Sequence, residues 1–282
     1  MCTTAATVFP GVSVDEVVDS YWIFLARNHY DLHLASFKRR LKTDARAAEA
    51  EAVVFALLWS AKARPDIFED PSLGGPDFCC DPDNKSKFLV EVTSLEAGSV
   101  SRRSHLPDRF DGKGGGAFGL ISAALDAAAG SKAAQLANWP YPRVLAITSA
   151  HACASILLDH LPARNLLLSD PVISSKLGDQ SGHARITTDL RRGVFFRMKT
   201  STGEIVPRRK SISAILLVAI SYRQAQIVGI VHPEPAIRFD PNLFPNVPYL
   251  CVKKWPVVGG TISTEWVADT EDPAIFYHQR IR

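Results

Sequence analysis

Apolar positions along the chain recur with two periods, and the switches between them outline the elements. From residue 14 to 42, Val17, Val18, Tyr21, Trp22 and Leu25 share one face at helical spacing, which predicts one or two helices. A second amphipathic helix is expected from about Asp44 to Lys62. Ala47, Ala50, Val54, Leu57 and Ala61 form its apolar stripe and Pro65 stops it. The period then shortens to two. Asp77 to Cys80 and Lys87 to Leu95 read as strands joined across the turn Asp81-Pro82-Asp83-Asn84, an antiparallel hairpin. Residues 96–116 are polar and glycine-rich, a loop by composition. An alanine-rich helix from roughly Ala117 to Ala137, a buried strand from Arg143 to Ser149 and a helix from Ala150 to His160 complete an α/β pattern. Residues 162–192 show no clear period and read as an insertion. Gly193 to Thr200 and Glu204 to Val206 then pair across Ser201-Thr202-Gly203. Strands Ile212 to Ile220 and Ala225 to Val231 precede a proline-rich tail expected to wrap the core.

Composition narrows the class. The 282 residues are 46% apolar and 22% charged, which fits a chain with a sizeable core and excludes disordered and coiled-coil readings. No linker or repeat interrupts the pattern, so one domain is expected. It comprises an N-terminal helical segment (1–43), a core (44–160) and an elaboration (161–282). The longest strongly apolar run, Ile212 to Ile220, is far too short to span a membrane, and the N-terminus lacks the pattern of a signal peptide. Five cysteines, none in a Cys-x-x-Cys pair, point to reduced thiols and a cytoplasmic setting. Thirty-two bases against 29 acids leave only +3, so any polyanionic partner would have to be held by local patches.

Several motifs lack the context their chemistry needs. Gly114, Gly116 and Gly119 match G-x-G-x-x-G, but a polar loop precedes them instead of a strand. His29 and His33 have metal-compatible spacing without an obvious third ligand, and His151-Ala-Cys153 is no stronger. No Gly-x-Ser-x-Gly elbow is present.

One oddity stands out. Glu91 sits in the middle of an otherwise apolar strand, where a carboxylate is costly unless paired or metal-bound. Strand alternation puts Lys87, Leu89, Glu91, Thr93 and Leu95 on one face. Pro76-Asp77 opens the neighbouring strand, so two carboxylates can converge. That is what a hard cation such as Mg²⁺ requires alongside water and phosphate oxygens.

Pro76-Asp77, then Glu91-Val92-Thr93, set in a helix–strand–strand–helix–strand order over about residues 45 to 150, resembles the PD-(D/E)XK phosphodiesterase superfamily. The resemblance implies an α/β fold with a restriction-endonuclease-like core of helix, antiparallel strands, helix and strand. To this the chain adds N-terminal helices and a β-rich C-terminal elaboration. It further implies that Asp77, Glu91 and the main-chain carbonyl of Val92 hold Mg²⁺ or Mn²⁺, and that Glu51, with Glu49 as fallback, is the acid of the first helix. Thr93 stands where that family has lysine, the chief departure. Lys132 and Gln135, three apart on the helix after the hairpin, share a face and are expected to serve in its stead. Lys87, four residues from Glu91, is too far along the strand.

The implied partner is nucleic acid, DNA more than RNA. Homodimers are an option, because enzymes of that fold pair up to cut two strands. Phosphate grip is expected from Arg191, Arg192, Arg197, Lys199, Arg208, Arg209 and Lys210, and from Arg102, Arg103, Arg109 and Lys113 beside the site. Two other readings stand beside the nuclease: a catalytically silent member of the same fold that binds nucleic acid or acts as a scaffold, and an unrelated α/β enzyme in which Glu91 is structural.

Overall fold

The computed structural model describes residues 5–70, 74–108, 118–155, 158, 160–168, 171–174, 185–188, 193–199, 201–220, 225–257, 262–267 and 275–279. After a short strand β1 (Ala6–Val8), three helices follow: α1 (Val14–Arg27), α2 (Asp31–Thr43) and α3 (Ala45–Ser60). A capping box starts α1: the Ser13 hydroxyl accepts from the Glu16 N–H (3.2 Å) and the Ser13 N–H donates to the Glu16 carboxylate (3.0 Å). The first predicted helical stretch is therefore two helices, broken at Asn28, His29 and Tyr30. From Ala50 to Leu58 every residue of α3 is buried, because α1 and α2 cover one side and the sheet the other.

The sheet begins with β2 (Pro65–Ile67), β3 (Phe78–Cys80) and β4 (Phe88–Leu95), an antiparallel meander. Helices α4 (Ala97–Ser104) and α5 (Phe118–Gln135) lead to β5 (Arg143–Ser149), which pairs parallel with β4. Helices α6 (Ala152–Ser155) and α7 (His160–Leu168) follow. Two small hairpins come next: β6 (Pro171–Ser174) with β7 (Arg185–Thr188), and β8 (Phe196–Met198) with β9 (Ile205–Pro207). Strand β10 (Ala214–Ile220) lies parallel to β5 and antiparallel to β11 (Ala225–Val231). Strands β12 (Tyr249–Val252) and β13 (Thr264–Val267) extend the far edge, and β14 (Ile275–Phe276) pairs with β1 beside β11. The main path of the mixed sheet runs β13-β12-β11-β10-β5-β4-β3-β2.

Two apolar layers flank this sheet. Phe88, Val90, Val144, Ala146, Leu216 and Val218 face α1 and α3, whereas Leu95, Leu145, Ile147, Ile215 and Leu217 face α5 and α7. Strands β5 and β10 are buried on both faces, which explains the unbroken apolar sequence of β10 and the apolar centre of β5 (residues 144–147).

The structure departs from the sequence pattern in four places. The expected hairpin is a three-stranded meander, since β2 was not anticipated. The glycine-rich loop contains α4. The helix expected from Ala150 to His160 is instead the short α6, with α7 beginning at His160. The tail adds strands to the sheet besides wrapping it.

Gly229 in β11 marks a close approach: a Cβ there would lie 2.2 Å from the Tyr249 ring of β12. Gly229→Ala should therefore lower unfolding free energy by about 1–3 kcal/mol through overpacking. Chemical denaturation of the variant beside the wild type measures this.

Candidate functional site

The register of the meander brings the two sequence-marked acids together. Phe78 pairs with Val90, so the next antiparallel step sets Asp77 opposite Glu91. The Val92 N–H donates to Oδ2 of Asp77 at 2.6 Å, fixing that carboxylate against β4. Protein packs densely around the Asp77 carboxyl, although the residue keeps part of its surface open. The Gly75 φ of +136° lets the chain turn into Asp77, a conformation in which side-chain-bearing residues are strained.

Helix α5 supplies the opposite wall. Its inward stripe is Ile121, Leu125, Ala129 and Leu136, and Lys132 falls within that stripe. The ammonium therefore points at the sheet, where it meets Glu91: Nζ lies 2.5 Å from Oε1. Gln135 completes the cluster. Its amide nitrogen donates to Oε2 of Glu91 (3.3 Å) and to the Gly75 carbonyl (3.2 Å), and its carbonyl oxygen accepts from Lys132 (3.0 Å). One glutamine thus ties the loop before Asp77 to the helix carrying Lys132.

The third acid, Glu51, enters from α3. The Tyr21 hydroxyl donates to its Oε1 at 2.8 Å and Arg40 forms an ion pair with its Oε2. Burial raises the Asp77 pKa well above the usual carboxylate range, and the nearby charges of Glu91 and Glu51 push it the same way. Burial also raises Glu91 against the opposing effect of Lys132, and Glu51 against that of Arg40. Burial and Glu51 hold the Tyr21 phenol far up, so it remains a donor.

The structure thus unites Asp77, Glu91, Lys132 and Gln135, with the Val92 main chain and Glu51 close by. Thr93 is half-buried on the same face of β4 as Glu91, and its carbonyl accepts from Thr148. Glu49 instead pairs with Arg46 at 2.8 Å. Among the described residues, no three His, Cys, Asp or Glu side chains form a ready-made metal cluster. His29 has φ +57° between α1 and α2, so it shares no helix with His33. The His151 ring accepts from the N–H groups of Cys153 and Ala154, capping α6.

The basic patch needs correction. The Arg209 side chain is largely covered and bridges the Asp126 carboxylate (2.5 Å), the Asp126 carbonyl and the Val194 carbonyl. Arg208 also approaches Asp126 (3.5 Å), Lys210 pairs with Glu234 and Lys199 pairs with Glu204. These bases mainly fasten the β8–β9 region internally, because carboxylates lie within reach once the chain folds. Arg197 is exposed, as are Arg102 and Arg103 in the last turn of α4. Arg109, Lys113, Arg191 and Arg192 lie outside the described residues, as do Gly114 and Gly116. Tyr21 and Arg40 were missed in the sequence. The basic run from Lys38 to Arg46 was a visible signal, but nothing in it indicated that Arg40 alone turns inward.

No protein-family model, curated protein or solved structure matches this chain.

Two outcomes follow from the geometry. Lys132→Met strands a buried Glu91 carboxylate and should cost about 2–3 kcal/mol, with Lys132→Met/Glu91→Gln recovering part of the loss. Denaturant midpoints of the two variants test this. For Asp77, the folded-state pKa lies above the unfolded one, so protonation favours the fold. That contribution is complete below the ordinary value of 3.8 and fades as pH rises through the raised folded pKa. Metal-free wild type should therefore melt lower as pH climbs over that window, and Asp77→Asn should flatten the trend and raise the melting temperature at neutral pH.

Proposed function

We propose that this chain is a Mg²⁺- or Mn²⁺-dependent phosphodiester hydrolase acting on nucleic acid, DNA in preference to RNA, built on a PD-(D/E)XK-type core. The observation that carries this reading is the placement of Lys132. An ammonium from α5 reaches the Glu91 carboxylate opposite Asp77 and stands in for the lysine that Thr93 lacks. Apart from the added α4, the element order supports it too: α3, then antiparallel β2, β3 and β4, then α5, then β5 parallel to β4. That is the order the resemblance implies.

The donor chemistry fits a hard cation. Asp77, Glu91 and a main-chain carbonyl at Val92 offer oxygen only, as Mg²⁺ and Mn²⁺ prefer. Asp77 is held near two other acids with its pKa driven up, a standing repulsion that a divalent cation relieves. Bound there, the ion supplies Lewis acidity for attack on a phosphodiester. The chain's own groups do the rest. Lys132 exchanges part of its contact with Glu91 for a phosphate oxygen and balances charge developing there. Gln135 holds the Lys132 ammonium and, through Gly75, the approach of Asp77 to β4. Glu51 is assigned to hold Arg40, with which it forms an ion pair while Tyr21 donates to its other oxygen.

The same ion pairs favour a second reading, a catalytically silent protein of this fold in which Lys132 permanently neutralises Glu91. Incubation of single- and double-stranded DNA and RNA with Mg²⁺ or Mn²⁺ separates the two. Cleavage should appear, and Asp77→Ala should abolish it. Lys132→Ala should lower it by about 10²–10³ while metal binding, followed by calorimetry, persists. Metal binding without cleavage would select the silent reading, and cleavage surviving Asp77→Ala would remove the site.

A further inference from the structure

Helix α2 lies outside the helix–strand–helix unit that carries the site, yet one of its bases reaches into it. Phe37 is its only fully buried residue. Lys38, Arg39 and Lys42 point to solvent, Lys38 lying over the Trp22 ring at 4.4 Å. Arg40 turns the other way, to the Glu51 carboxylate, where the charge of Asp77 also favours its guanidinium. Glu51 is itself fixed by Tyr21, so the guanidinium is anchored at Nη2 by a carboxylate that cannot swing. The rest of the group is not saturated. Nε is buried with no hydrogen-bond partner, and about 31% of the side chain remains exposed. An unmet buried donor is costly, and an anionic oxygen would remove that cost.

We propose that Arg40 is a phosphate-contacting residue of this site, holding a nucleic-acid phosphate from the α2–α3 side while Lys132 faces it from the α5 side. The inference rests on the reading of the Asp77–Glu91 site as a phosphodiester centre. Its geometric basis is that Arg40 pairs with Glu51 on the α3 side of the sheet while Lys132 pairs with Glu91 on the α5 side. Guanidinium suits the role, because a planar fork anchored at one nitrogen still presents donors in the spacing of phosphate oxygens. Tyr21 and Glu51 act as positioning residues that keep the fork from folding onto Asp77.

The simple variant Arg40→Met would strand Glu51, so the decisive protein is the full chain carrying Arg40→Met/Glu51→Gln, beside Arg40→Lys. Fluorescence anisotropy with short labelled DNA and RNA, single- and double-stranded, is read in EDTA and in Ca²⁺ over a salt series. Mg²⁺ calorimetry and thermal melts accompany it. The double variant should stay folded and hold Mg²⁺ near wild-type affinity. It should bind the preferred oligonucleotide about tenfold more weakly, with a log–log salt slope reduced by about one. Arg40→Lys, keeping charge without the fork, should fall between. A folded double variant with wild-type affinity and slope overturns the proposal and leaves Arg40 as the counter-ion of Glu51. If the double variant does not fold, unchanged binding by Arg40→Lys overturns it equally. Wild-type protein that binds no oligonucleotide overturns it as well. Failure of the metal site shows separately, as Mg²⁺ binding indifferent to Asp77→Ala.

Discussion

The contact between the Lys132 ammonium and the Glu91 carboxylate is the constraint around which the rest of the site is arranged. A carboxylate in the middle of β4, with parallel β5 on one side and β3 on the other, is shielded from bulk solvent and has few free main-chain donors. Leaving it unpaired would cost several kcal/mol. The pair therefore fixes the rotation and height of α5 over the sheet, because the ammonium must arrive at one point. Gln135 extends that constraint to Gly75, and thereby to the turn that delivers Asp77.

The helix that makes this contact is held from behind by the bases that looked like a substrate grip. Arg209 joins Asp126 of α5 to the Val194 carbonyl, and the Ser211 hydroxyl donates to the Ala133 carbonyl at 2.5 Å. Both contacts lie on the side of α5 that faces the C-terminal elaboration. That part of the chain continues the sheet through β10 and β11 and also clamps the helix that completes the site. A dense run of bases in sequence says little about surface charge until the nearby acids are placed. Asp126 is more than 80 residues away in sequence and adjacent in space.

What could be read in the sequence follows from how strongly each element departs from its surroundings. Ile212 to Ile220 and Arg143 to Ser149 were legible as buried strands because each carries an apolar run too short for a helix, residues 214–220 and 144–147. Glu91 was legible for the converse reason, being polar in the middle of an otherwise apolar strand, whereas Asp77 was marked by the Pro76-Asp77 pair and Lys132 and Gln135 by the resemblance. β2 escaped because three residues beginning with proline carry no period. α4 escaped because Gly98 and three serines read as loop, its helix being fixed by packing on α5. Tyr21 and Arg40 escaped for a different reason. On α1 and α2 they look like an ordinary core aromatic and an ordinary surface base, and only the stacking of both helices on α3 brings them to Glu51.

Charge accounting around the acid pair ties these elements together. Asp77 feels the charges of Glu91, Glu51 and Glu69, Glu91 and Glu51 each feel that of Glu69, and every one of these interactions resists ionisation. Lys132 and Arg40 offset two of the four charges. The fully ionised cluster therefore keeps a net negative charge, which the proposed Mg²⁺ or Mn²⁺ ion would offset. Without such an ion, Asp77 is driven toward its protonated form. Because the two protein cations stand on opposite faces of the sheet, neither can approach to cover the deficit alone. Moving either inward would unpair a buried glutamate. The same ion pairs that stabilise the fold thus keep the deficit at Asp77, where the β3–β4 register leaves part of the surface open.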